Sequence, residues 1–154
     1  MKLPKKPVMT KIPPKNLVLY ADDDPDDLML VKDAFSKYAS NVEVLTVNDG
    51  LEALSYLKSL SQEDPSPCLV ILDVNMPRLN GRETLKQLRK LDRYEEVPVI
   101  LFTTSSLPVD KEFANKHNAG FISKPLNARQ MDLITDQFIE HCAEEIKKQI
   151  RRLN

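Results

Sequence analysis

Glycine is scarce in this 154-residue chain, which holds only Gly50, Gly81 and Gly120. Three glycines so far apart exclude both a G-x-G-x-x-G fingerprint and a P-loop, the usual backbone cradles for a nucleotide's phosphates. Cysteine is nearly as rare. Cys68 and Cys142 are too few for a disulfide framework or a zinc site, and Cys68, which opens an apolar run, reads as a small buried hydrophobe. Long apolar runs are lacking too. The longest, residues 68–72 and 97–102, have strand length, against the roughly 20 residues of a membrane helix. Neither sign of charge dominates: 22 Lys and Arg face 23 Asp and Glu, which argues against a nucleic-acid binder held by bulk electrostatics. Lys2, Lys5 and Lys6 precede no apolar core of the signal-peptide kind. The chain length suits one domain, and the default expectation from these absences is a cytoplasmic protein with neither nucleic acid nor membrane as partner.

Residues 1–15 contain four prolines and five lysines without periodicity, and are expected to form a flexible basic leader. The domain proper is expected over residues 16–152, with no output domain after it. Within it, strand-like apolar runs alternate with helical patterns. The runs are residues 17–21, 42–47, 68–72, 97–102 and 120–123. Asp24-Pro25-Asp26-Asp27 is a helix start, with Asp24 as N-cap, Pro25 at the first helical position, and Asp26 and Asp27 serving the helix dipole. Asn48 or Asp49 caps a second helix to about Leu60; others follow over residues 82–91 and 108–118, and a closing helix runs from Asn127 to the vicinity of Arg151. Five βα units with short connections predict an α/β fold with a parallel sheet covered on both faces. In such sheets the site forms at the carboxyl ends of the strands.

The residues at those ends are chemically coherent. Asp22, Asp23 and Asp24 follow the first strand, Asp73 and Asn75 the third, Thr103, Thr104 and Ser105 the fourth, and Lys124-Pro125 the fifth. Several carboxylates in one place repel unless a cation or proton intervenes. Oxygen ligands favour a hard ion, and one or two carboxylates plus a phosphate suit Mg²⁺, with Mn²⁺ as a substitute. A carboxylate is also a competent nucleophile toward phosphorus, and phosphoryl transfer asks for little beyond positioning and charge neutralisation.

Four segments carry a resemblance to the response-regulator receiver family, of the single-domain, chemotaxis-regulator-like kind. They are Leu17-Val-Leu-Tyr-Ala-Asp-Asp-Asp-Pro-Asp-Asp27, Ile71-Leu-Asp-Val-Asn-Met-Pro-Arg-Leu-Asn-Gly81, Pro98-Val-Ile-Leu-Phe-Thr-Thr-Ser105 and Phe121-Ile-Ser-Lys-Pro125. The resemblance implies a flavodoxin-like, doubly wound five-stranded parallel sheet of order 2-1-3-4-5. It implies Asp73 as phosphoacceptor, and a metal site of Asp23 and Asp73 directly, Asp22 through water, and the backbone carbonyl of Asn75. Thr103 would hydrogen-bond the phosphoryl group and Lys124 would pair with it, while Pro125 would follow a cis bond. Gly81 would sit where a side chain obstructs the chain. Thr103 and Phe121 would form the switch, Phe121 standing where Tyr is commoner, and the remodelled surface would be residues 105–145. Thr104, where many receivers have alanine, would tighten access to the phosphoryl group, and uncharged Ser105 and Asn75 would flank the path of an attacking water.

The implied function is a stand-alone receiver in two-component phosphorelay signalling, a phosphoacceptor and not an enzyme. Its partners would be a histidine kinase or histidine phosphotransfer protein and an unknown target protein, and it would be a monomer or weak dimer. A relay intermediate that passes the phosphoryl group to a histidine phosphotransfer protein uses the same residues. A phosphatase on a similar sheet would want its Asp-x-Asp after the first strand, which the solitary Asp73 after the third does not match. A receiver reduced to a scaffold would not need the full set of Asp22, Asp23, Asp73, Thr103 and Lys124. Lys147, Lys148, Arg151 and Arg152 suit the last helix's dipole, and His117 and His141 read as surface histidines.

Overall fold

A computed structural model describes residues 15–152; the leader expected over residues 1–15 lies, but for Lys15, outside the described residues. The five strands are β1 (Asn16–Ala21), β2 (Val42–Val47), β3 (Leu69–Leu72), β4 (Val99–Thr103) and β5 (Gly120–Ser123), all parallel in the order β2-β1-β3-β4-β5. The helices are α1 (Pro25–Ala34), α2 (Gly50–Ser59), α3 (Gly81–Arg89), α4 (Pro108–Lys116), α5 (Met131–Glu140) and α6 (Glu144–Arg151). The expected α/β architecture and strand order are therefore present.

Central strands read as unbroken apolar runs because both faces of the sheet are covered. Successive side chains point to opposite faces. Val18, Tyr20, Leu69, Ile71, Ile100 and Phe102 join a core under α1 and α5, with Val31, Phe35, Ile134 and Phe138. Leu19, Ala21, Val70, Leu72, Val99 and Leu101 join a second core under α2, α3 and α4, with Leu54, Leu57, Leu85 and Leu88.

Helix starts follow the predicted chemistry. Asp24 accepts from the Asp26 N–H, Asp49 from Glu52 and Asn80 from Glu83, each satisfying a donor that the helix leaves without a partner. Two expectations are corrected. The closing helix is not continuous: a short 3-10 turn at Ala128–Gln130 precedes α5, and the chain turns at Ala143 (ψ 152°) before α6. In one straight helix, Ile150 would lie about 15 Å beyond Glu140 along the axis. The break instead buries it in the first core, while Asn41 Nδ2 donates to the Ile150 and Arg152 carbonyls at 3.3 and 2.9 Å. The second correction is that the Lys124–Pro125 bond is trans, the isomer favoured for X–Pro by about 0.5–1 kcal/mol.

Gly81 meets its expectation. A Cβ there would overlap the backbone carbonyl of Asp73 and Val74 Cα, so α3 packs directly on the loop that follows β3. Gly81→Ala is expected to cost about 2–3 kcal/mol in urea denaturation, because backbone cannot move aside as a side chain can. Gly120→Ala, whose Cβ meets the ring of exposed His141, serves as the comparison and is expected to cost under about 1 kcal/mol. Equal costs would contradict the packing argument.

Candidate functional site

The sheet ladder brings the four post-strand segments together. Ala21 pairs with Leu72, Leu72 with Leu101 and Leu101 with Phe121. Just past these rungs the Asp73 N–H donates to the Ala21 carbonyl at 3.0 Å, and the Lys124 N–H to the Thr103 carbonyl at 2.9 Å. Strand order reverses between β1 and β3, the switch point where open α/β sheets bind ligands. Asp22 and Asp23 stand on one side of it and Asp73 on the other.

Asp22, Asp23 and Asp73 each offer a carboxylate oxygen within 4.8 Å of the others, Asp22 and Asp73 buried and Asp23 exposed. Lys124 reaches across them. Its Nζ donates to Asp22 Oδ2 at 2.7 Å, Asp27 Oδ2 at 2.7 Å and Asp73 Oδ2 at 3.2 Å, and lies 5.9 Å from the centroid of the Phe102 ring. Burial by itself would lower the Lys124 pKa, but the hydrogen bonds to Asp22 and Asp27 outweigh it and push it up. The lysine is thus fixed as a cation.

Asp22, fully buried, has both oxygens engaged. Oδ2 accepts from the Tyr20 hydroxyl at 2.5 Å and from Lys124, and Oδ1 from the Asp24 N–H at 3.0 Å. Burial first, and the Asp22 charge second, push the Tyr20 hydroxyl far above the ordinary phenol range, so it remains a donor. Asp23 and Asp73 keep more freedom to meet an ion. Burial, and after it the Asp22 charge, push the Asp73 carboxyl up to about 6, against the opposing pull of Lys124 and the Asn75 N–H. An all-oxygen cluster with excess negative charge fits a hard divalent cation.

Thr103 is buried at the end of β4, and its Oγ1 accepts from the Ser105 N–H at 3.1 Å. Ser105 Oγ donates to Asp110 Oδ2 at 2.6 Å, and buried Asp110 also pairs with Arg82 at 3.5 Å. Thr104 is exposed, as is Asn75. Phe121 is half-buried against the second core and lines a cavity of about 560 Å³ with Pro108, Lys111, Glu112 and Asn115.

Two contributors escaped the sequence reading. Asp27 fits the dipole of α1 as expected, yet it also holds Lys124, a contact across 97 positions that no local pattern announces. Tyr20 reads as one more apolar strand residue, although a phenol two residues before an acidic cluster is a signal that could have found it. Two basic residues of α6 are committed elsewhere: Lys147 pairs with Glu140 and Glu144, and Arg151 with Glu140 and Asp136.

Acids at the switch point of a doubly wound sheet, bridged by a buried ammonium and joined at the same sheet edge by a hydroxyl after β4, form a site suited to a hard divalent cation. The family model described as response regulator receiver domain matches residues 18–135. The chain belongs to that family, whose members are signalling domains of two-component systems and are generally not enzymes. The probable methanogenesis regulatory protein FilR2 of Methanothrix harundinacea is 28% identical over 127 residues, 81% of this chain and 82% of that protein. Response regulator Rcp1 of Synechocystis is 32% identical over 95 residues, 60% of this chain and 64% of Rcp1. The crystal structure of the phosphorylated cyanobacterial phytochrome response regulator RcpA superposes with a TM-score of 0.76 at 26% identity, covering 86% of this chain and 96% of RcpA. The Mn²⁺-bound form of Rcp1 gives 0.72 at 22% identity, covering 90% and 97%, and so shares the fold.

Proposed function

We propose that the chain accepts a phosphoryl group on Asp73 from the phosphohistidine of a histidine kinase or phosphotransfer protein. The observation that supports this best is the single cluster in which Asp73 meets Lys124 at 3.2 Å beside the carboxylates of Asp22 and Asp23. In the transfer an Asp73 oxygen attacks phosphorus, the P–N bond breaks, and its electron pair returns to the imidazole. Lys124 holds a fixed positive charge against the equatorial oxygens, and the Thr103 hydroxyl donates to one of them. Asp23, Asp73 and the Asn75 carbonyl would hold Mg²⁺, with Mn²⁺ as a substitute, supplying further charge neutralisation.

The acyl phosphate carries about −1.5 to −2 charges in place of the single charge of the Asp73 carboxylate, and brings new acceptor oxygens. Thr103 turns toward them, Phe121 moves into the space released, and the face formed by α4, β5 and α5 changes for a protein partner. The hydrogen bonds from Ser105 to Thr103 and Asp110 support this coupling, since they tie the end of β4 to the first turn of α4. The test is incubation with acetyl phosphate and Mg²⁺ followed by intact mass measurement. One phosphoryl adduct, absent when the cation is chelated, is expected. Labelling unaffected by chelation would contradict the proposed role of the cation.

A further inference from the structure

The Lys124 ammonium has three protons, and three carboxylates take them unequally. Asp22 and Asp27 stand at 2.7 Å, while Asp73 stands at 3.2 Å. Asp22 sits at the end of β1, fixed by Tyr20 and the Asp24 N–H. Asp27 is different. It lies in the first turn of α1, its side chain is 28% exposed, and Lys124 is its partner among the described residues. It adds a fourth carboxylate to a pocket holding one lysine, and its hydrogen bond pulls that lysine toward α1 and away from Asp73.

We infer that Asp27 is a positioning residue for phosphoryl transfer: it holds Lys124 short of Asp73 in the unphosphorylated protein and thereby slows acceptance of the phosphoryl group. The inference rests on the reading of Asp73 as acceptor. Two effects act in the same direction. An incoming phosphoryl donor is an anion, and one carboxylate fewer lowers the repulsion it meets. Lys124, released from one of its two short bonds, can also close on Asp73 and has a further donor proton to give to a phosphoryl oxygen.

Asp27→Asn keeps the shape of the side chain and an acceptor oxygen but removes the charge; Asp27→Ala removes both. With acetyl phosphate and Mg²⁺, Asp27→Asn is expected to label about tenfold faster than wild type at low ionic strength, the advantage shrinking as salt screens the removed charge. Asp27→Glu, which restores the charge, is expected to return the rate toward wild type. A merely structural role for Asp27 would not produce this dependence on salt and charge. The second readout needs no phosphoryl donor: in a cation-free crystal structure of Asp27→Ala, the Lys124–Asp73 distance is expected to contract below the 3.2 Å found here. Wild type that labels on Asp73, with Asp27→Asn labelling at the same rate or more slowly, overturns the inference and leaves the acceptor assignment standing. An unchanged or longer Lys124–Asp73 distance in Asp27→Ala overturns it as well. Failure of wild type to label on Asp73 removes the acceptor reading, and the inference falls with it.

Discussion

Lys124→Ala is expected to lower the stability of the cation-free protein by about 3–5 kcal/mol, the largest stability effect of any substitution in the site. Wild-type Lys124 is the one cation within hydrogen-bonding reach of Asp22, Asp27 and Asp73 among the described residues, and its side chain is only 8% exposed. Without it, fully buried Asp22 retains the Tyr20 hydroxyl and the Asp24 N–H, which are donors but not counter-charges. Taking one partner from a buried ion pair leaves a desolvated charge behind, which is why the loss exceeds the net contribution of the pair. For a domain of this size it corresponds to a drop on the order of 10 °C in melting temperature. Mg²⁺ is expected to return more stability to the variant than to wild type, because the cation and the ammonium neutralise the same oxygens. Calorimetry in chelator and in Mg²⁺ checks both points. A variant that melts with wild type in chelator would show that Lys124 does not neutralise the cluster.

The second large effect has the opposite sign. Asp73→Asn is expected to abolish phosphoryl labelling and, without divalent cation at neutral pH, to stabilise the fold by about 1–3 kcal/mol. The Asp73 carboxyl is held up to about 6 by burial and by Asp22, above its value in the unfolded chain. The folded state therefore binds the Asp73 proton more tightly, and this group's contribution to stability falls as pH rises from about 4 to about 6. Above that window the whole penalty of a buried carboxylate beside another is present, and asparagine at similar volume removes it. Lys124 keeps its two shorter partners, Asp22 and Asp27, in the variant. Urea titrations at pH 4 and pH 7.5 should show an advantage for Asp73→Asn that is large at the higher pH and nearly gone at the lower. An advantage that grew on acidification would mean that the charge of Asp73 is not what the fold resists. On the proposed reading, a carboxylate that strains its own fold until a cation or phosphoryl group arrives would couple ligand to conformation.

Local chemistry made most of the fold legible. Asp24 and Asp49 announce helix starts because an N-cap needs only its own short segment. Strands β1, β3 and β4 read as apolar runs because both faces of the sheet are covered. Gly81 was readable as a place of close approach, and the Asp73 backbone is what it approaches. The acids after β1 and β3, Thr103 and Lys124 were readable as one cluster because a parallel sheet carries every strand's carboxyl end to the same edge. What stayed hidden depends on tertiary distance. Asp27 satisfies the dipole of α1 so well that sequence supplies no reason to ask for more, yet its partner lies on the loop after β5. The hydroxyl of Tyr20 matters because the strand directs it into the first core beside Asp22. The break between α5 and α6 carries no glycine or proline; burial of Ile150 against the core, together with Asn41, holds α6 back against the domain.

The central claim, that Asp73 receives the phosphoryl group, is tested most directly by chemical mapping of the labelled protein. Borohydride reduces an acyl phosphate to an alcohol, so phosphorylation, reduction and peptide mass spectrometry mark the acceptor carboxylate itself. The account predicts that the mark falls on position 73 alone and disappears when Mg²⁺ is withheld. A mark on Asp22, Asp23 or a residue outside the cluster would contradict it.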